Sequence, residues 1–359
     1  MKTIISHLLA VVIGVLTALL LRPAIDDQKS PSGETQQSER VKRDRADSAA
    51  PRSTGTVPRI DGQQLVAELS REITASDLEK WLAECSYDVR SLAEAQAIAG
   101  LLTNNPDLVL QAIEADPENP HLLYIGATLS SINAKERLAL SERFFQQDTG
   151  NALAGYIYAS QLFETGDIKK GIEIMKGSQD QPKIDAYAKQ TQLLMDDAFI
   201  AAGDSPSMAK IRSVLNSTTM PYFSDLQSLA GSINDLGDSL TPEEAADLRS
   251  LSASMGSRLS DQGKSSTYIN HLVGLSLEKK ALAGLPDSSP SPYEGLTVGE
   301  ARQSIANERE ELFQVINQTP MEAIISGDPE LVDRYFDRVR LVGEQEASMW
   351  WLEVTSGQK

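Results

Sequence analysis

Three histidines, His7, His121 and His271, and one cysteine, Cys85, are the side chains best suited to chemistry in this 359-residue chain. A nucleophile-histidine-carboxylate device needs an imidazole poised between a hydroxyl or thiol and an acid. His7 lies in an apolar leader, so such a device would have to use His121 or His271. Each has apolar neighbours, in His121-Leu122-Leu123 and His271-Leu272-Val273, a setting that favours packing. Cys85 follows Trp81 and Leu82 and reads as a small buried hydrophobe. A lone cysteine forms no internal disulfide, which leaves the redox compartment open. Neither a Gly-x-Ser-x-Gly elbow nor a His-Glu-x-x-His pair occurs.

Gly263-Lys264-Ser265 invites a phosphate-loop reading, but Arg258 stands where that motif requires its first glycine and no strand precedes it, so a turn between helices is expected. Ser207 to Lys210 and Ser276 to Lys279 match Ser-x-x-Lys without the Lys-Thr-Gly element of penicillin-recognising enzymes. Glu243-Glu244 and Glu308 to Glu311 sit in helical context. They lack the alternating oxygen ligands of a calcium loop and read as solvated faces. Catalytic, cofactor-binding and metal residues are therefore expected to be none.

The elements that would carry these residues are helices. A capping side chain followed by proline occurs at Asn105-Pro106, Asn119-Pro120, Ser205-Pro206, Thr241-Pro242 and Asp328-Pro329. Proline suits the first helical position, where its missing N–H costs nothing, and the preceding side chain accepts from an unpaired amide. Thr241 with Glu244, Thr297 with Glu300 and Ser76 with Glu79 add capping-box spacing. Apolar residues recur at three, four or seven, as in Ile168, Ile172 and Met175, or Ala301, Ile305, Leu312, Val315 and Ile316. Runs of alternating β-branched residues are absent, so the fold class expected is all-α.

Between about Asn105 and Ser178 the pattern recurs with an offset of 32: Asn119 is matched by Asn151 and Ala127 by Ala159. From Ala152 to Ser178, Ala159 takes a small position and Leu162 a large one, Gly166 and Asp167 a turn, then Ile168, Gly171, Met175 and Ser178 alternate large and small. Val109, Ala112, Pro117 and Ala127 form a weaker preceding unit. Here the chain resembles a tetratricopeptide repeat, over residues 105–178 only. Gly155 replaces the large residue of the first turn. The resemblance implies antiparallel helical hairpins stacked as a solenoid with a concave face for a peptide; an unrelated helical-hairpin array is the rival reading.

Residues 4–21 are nearly all apolar and, as a helix, would reach about 27 Å. An N-terminal transmembrane anchor over 1–22 is expected, with a cleaved signal peptide as the alternative. Ala10, Gly14 and Ala18 fall four apart, the spacing through which two such helices approach closely, and mark a weak homodimer face. Residues 23–58, rich in Ser, Pro, Gln, Arg and Asp, read as a disordered linker. A helical repeat-like domain follows over 59–285, then a Pro/Ser-rich connection over 286–296 and a C-terminal helical segment over 297–359. In that last segment Trp350 and Trp351 cannot both face one core, which makes the carboxyl end a contact candidate, with simple packing at an element's edge as the alternative.

The net charge of −18 is uneven: residues 1–58 hold eight Lys/Arg against six Asp/Glu, leaving about −20 beyond them. So acidic a body repels nucleic acid and anionic lipid and draws basic proteins or peptides. The function expected is a membrane-tethered helical-repeat scaffold or adaptor, not an enzyme. It would bind a protein or peptide partner at a bacterial inner membrane, single-pass, with the soluble domain in the periplasm. The alternatives are an exported helical enzyme with a carboxylate/His site and a cleaved periplasmic helical protein.

Overall fold

A computed structural model describes residues 68–69, 71–84, 89–218, 222–237, 240–318, 324 and 328–356. The segments expected to be anchor (1–22) and linker (23–58), with Ala10, Gly14, Ala18 and His7, and also Cys85, lie outside them. The described residues belong to one compact unit, Glu68–Lys359, and they are all-helical, with bridges only at Asn151 to Lys183 and Pro290 to Thr297. Among them no helix is long and apolar enough to cross a membrane.

The order is α1 (Ala75–Glu84), α2 (Val89–Leu102), α3 (Pro106–Ala115), α4 (Pro120–Thr128), α5 (Ala134–Gln147), α6 (Ala152–Glu164), α7 (Ile168–Ser178), α8 (Ala188–Ala201), α9 (Pro206–Thr218), α10 (Tyr222–Gly237), α11 (Pro242–Lys264), α12 (Tyr268–Ala281), α13 (Val298–Gln318), α14 (Pro329–Val342) and α15 (Glu344–Ser356). All five cap-proline pairs start a helix, at α3, α4, α9, α11 and α14. Thr241 and Glu244 close a full capping box on α11, as do Thr297 and Glu300 on α13. The third box is displaced from its expected place. Thr74 and Asp77 make it instead of Ser76 and Glu79, because α1 begins at Ala75 and puts Ser76 inside the helix.

Short turns join α2 to α3, α4 to α5, α6 to α7, α8 to α9, α11 to α12 and α14 to α15, and each pair packs as a hairpin. Small residues set how closely the partners cross. In α6/α7 a Cβ at Gly171 would press on the Phe163 ring at 2.6 Å, with the Ala159 carbonyl just beyond. Gly155 departs from the expected large residue for a visible reason: the Ser178 side chain occupies the space a Cβ would need. The tightest crossing is α11/α12, where Gly256 and Gly263 abut the backbone at Glu278 and His271, and Gly274 abuts Ser260.

The hairpins do not form a simple row. Helix α8 packs back against α1 and α2, α10 lies on α6 and α12, and α9 meets α14. As a result α4 is buried from His121 to Thr128 and α6 from Ala152 to Phe163. Tyr124 of α4 meets Tyr222 of α10 edge-on at 6.3 Å, and Ser160 Oγ of α6 donates to the Asp225 carbonyl at 3.0 Å.

Long-range polar contacts close the unit. Arg258, the residue that breaks the phosphate-loop motif, donates to the Ser178 and Gln179 carbonyls at 2.8 and 3.0 Å and to that of Gln181, satisfying the end of α7. Arg340 of α14 forms a bidentate pair with Asp196 of α8 at 2.5 and 2.7 Å and donates to Ser213 of α9 at 2.7 Å. Across residues 286–296, α12 and α13 share a core of Leu275, Leu282, Val298, Ala301 and Ile305. That segment folds onto the start of α13, with Val298 N donating to Ser289 O and Gly299 N to Asp287 O.

Candidate functional site

His121 is the second residue of α4, fixed there because Asn119 Oδ1 accepts its backbone N–H at 3.0 Å. The ring points between α2 and α8. Its Nε2 is 3.0 Å from Thr191 Oγ1, its Nδ1 is 3.6 Å from Glu94 Oε1, and Tyr187 stacks on it with ring centroids 5.3 Å apart. Glu94 Oε1 also accepts from Asn119 Nδ2 at 3.0 Å and Gln190 Nε2 at 2.6 Å. Burial alone would raise this carboxyl, but the His121 imidazole beside it and hydrogen bonds from Asn119 and Gln190 outweigh it and hold it at about 2.

Carboxylate, imidazole and hydroxyl thus stand in the order of a hydrolase triad. Thr191 is 2% exposed and His121 1%, so the cluster is a buried polar joint between α2, α4 and α8. Tyr187, at the entrance to α8, adopts φ 54°, a left-handed conformation unusual for its type. It is held by its N–H to Asp185 Oδ1 at 2.8 Å and its hydroxyl to Asp148 Oδ2 at 2.5 Å. Burial and the Asp148 contact push its phenol up.

His271 lies on α12 with its backbone against Gly263, and its Nε2 is 3.0 Å from Glu308 Oε1 of α13. Lys264 Nζ reaches the same oxygen at 3.0 Å and Asp261 at 2.9 Å. Glu308 therefore departs from the expected solvated face. Burial raises its carboxyl, and Lys264 and His271 bring it below the usual range. One turn-set along α12, burial lifts Glu278 to about 7. Lys264 ends α11 and Ser265 opens the turn into α12, so Gly263-Lys264-Ser265 joins helices. Lys210 pairs with Asp333 and Asp337 at 2.7 and 2.8 Å.

The other candidate is a surface. On α15 the two indoles part company: Trp351 is buried edge-on against Tyr335, centroids 5.9 Å apart, whereas Trp350 is half-buried beneath the Arg338 guanidinium at 5.1 Å. Large apolar side chains stand exposed on the same two helices, Leu341 (68%) and Val342 at the end of α14, and Met349 and Leu352 on α15. Gly343, at φ 90°, turns the chain between the two helices where a Cβ would strike Ser265. Glu344 then fastens the turn to the body: its carboxylate accepts from Tyr268 N at 2.8 Å and its own N–H donates to Ser266 O at 2.7 Å. Burial lifts that carboxyl to about 7.

Sequence reasoning had His121, His271 and the paired tryptophans in view. It missed Glu94, Gln190 and Thr191 around His121, Glu308 as the partner of His271, and the Arg340–Asp196–Ser213 group. No local pattern marks residues that meet across 27 to 144 positions. The α11/α12 crossing did leave a signal, the four-residue spacing of Ser252, Gly256 and Ser260.

No protein-family model, no curated protein and no solved structure matches this chain.

Proposed function

We propose that the chain is a helical scaffold or adaptor that acts by contact with a protein or peptide partner and carries out no catalysis. The same proposal anchors it through residues 4–21 in a bacterial inner membrane, single-pass, with the helical body in the periplasm and a dimer contact through Ala10, Gly14 and Ala18. The observation that carries it is that the adjoining helices α14 and α15 expose four large apolar side chains, Leu341, Val342, Met349 and Leu352, while His121 and His271 are both buried in packing. Exposed large apolar side chains on one helical hairpin are what a contact surface requires.

The tetratricopeptide-like solenoid belongs to this reading for α2 to α7. What supports it is the stacking of α3 on α4 and α5 on α6, with α2, α4 and α6 as successive neighbours. The concave side that such an array offers a peptide would be formed by α4 and α6, and here α8 and α10 cover it. Contact with a partner is therefore placed on the outside, not in the curve.

Crosslinking in the native membrane followed by affinity capture of the intact chain tests the proposal. A reproducible protein partner, lost when Leu341, Met349 and Leu352 are replaced by serine, supports it; capture of nothing in repeated trials removes its basis.

One observation favours the enzyme reading, the Glu94–His121–Thr191 alignment. A β-lactone or fluorophosphonate probe that labels the native chain at Thr191, and fails to label Thr191→Val, would establish it. Complete burial of the hydroxyl argues that no label will form.

A further inference from the structure

The exposed row on α15 also carries a charge pattern. The helix has three glutamates, Glu344, Glu346 and Glu353, and neither lysine nor arginine. Glu344 is turned inward to cap α12, while Glu346 and Glu353 are exposed. Residues 346, 349, 352 and 353 fall on one face by helical spacing, so two carboxylates bracket Met349 and Leu352 about 10 Å apart along the axis. On α14, Asp333 and Asp337 are taken by Lys210 and Arg340 by Asp196. Arg338 of α14 lies over the Trp350 ring of α15, one turn before Leu341.

From this arrangement we infer that the α14–α15 surface docks a basic amphipathic helix of a partner protein. Its apolar stripe lies over Met349, Leu352 and the edge of Trp350. Two of its Lys or Arg residues, seven positions apart, meet Glu346 and Glu353. Apolar contact supplies the affinity and the bracketing carboxylates supply register and selectivity. A second copy of this surface is a poor occupant, since it would set Glu346 and Glu353 against their own kind. The inference rests on the reading of the chain as a contact protein and specifies its partner's chemistry.

The test uses the full chain in detergent and a fluorescent 18-residue amphipathic peptide with lysines at i and i+7 and leucines between, next to the same peptide with glutamates for the lysines. The lysine peptide is expected to bind with micromolar affinity that weakens at least fivefold between 50 and 300 mM salt, as the Debye length shortens from about 14 to about 6 Å. The pair Glu346→Gln and Glu353→Gln should abolish most of that salt dependence. The pair Met349→Ser and Leu352→Ser should lower affinity at least tenfold. All four positions are exposed, and an unchanged thermal midpoint certifies each variant.

Equal binding of the glutamate peptide, or binding untouched by either pair of substitutions, overturns the inference. So does sedimentation showing a dimer of the intact chain that Met349→Ser dissolves, which assigns the surface to a second copy. A captured membrane partner retained by Met349→Ser/Leu352→Ser leaves the contact function standing while this surface fails.

Discussion

Asn119 and Asn151, 32 residues apart, make the same joint twice. Each caps its helix by accepting a backbone N–H with Oδ1, and each donates from Nδ2 to the aspartate three residues earlier, Asp116 at 3.0 Å and Asp148 at 2.9 Å. Each then reaches a distant partner: Asn119 donates to Glu94, and Asn151 donates to the Asp185 carbonyl at 2.7 Å. Replacing either by alanine removes a cap and strands buried acceptors, at a cost of about 2 kcal/mol each. Urea denaturation monitored by circular dichroism checks this; a loss below a few tenths for both would mean that the joints are decorative.

The Arg340–Asp196 pair should be costly to break and cheap to replace. Arg340→Ala leaves Asp196 and Ser213 buried without their guanidinium and is expected to lose about 3 to 5 kcal/mol. Arg340→Met with Asp196→Leu should recover most of it. A double-mutant cycle by denaturant midpoint gives the coupling, and strictly additive losses would contradict the paired geometry.

Glycines separate into two classes. Gly263→Ala or Gly274→Ala pushes a Cβ into the backbone of the facing helix and should cost about 3 kcal/mol or more. Gly231→Ala, in α10, meets nothing within 4 Å and should stabilise by up to about 1 kcal/mol. Thermal melts of the three variants read the contrast directly.

Stability should pass through a maximum at about pH 4 to 4.5. Burial raises Asp225 from 3.8 to about 7, so the native state keeps a proton that the unfolded chain releases, and its contribution declines as pH rises from about 4 to 7. Glu94 runs oppositely: its stabilisation is complete above about 4.5 and is lost as pH falls toward 2. Asp225→Asn should flatten the upper limb by about 1 to 3 kcal/mol at pH 8 while leaving the lower limb in place. Denaturation midpoints at five pH values suffice, and an upper limb unchanged in the variant would assign it to Glu278 and Glu344 instead.

Helix starts were the most legible feature of the chain, because a cap-proline pair states its meaning within two residues. The 32-residue offset was legible for the same reason: Asn119 and Asn151 do their capping locally. Ser76–Glu79 misled by two positions because Thr74–Asp77, with the same spacing, competes for the same helix start and lies on the correct side of Ala75. The surroundings of His121 were illegible. Glu94, Gln190 and Thr191 arrive from helices whose packing is decided by shape across the whole unit, and no periodicity encodes which helix folds back. The tryptophan pair was half legible, since adjacency on a helix forces a split but does not choose which indole goes inside.

The return of α8 to α1 and α2, and the lid that α10 places on α6, deprive this chain of modularity. A linear array can be shortened by a repeat and remain a smaller version of itself. Here a polypeptide emerging residue by residue must leave the apolar flanks of α4 and α6 unsheltered until some seventy further residues have appeared. Truncation after α7 is thus expected to yield an aggregating fragment.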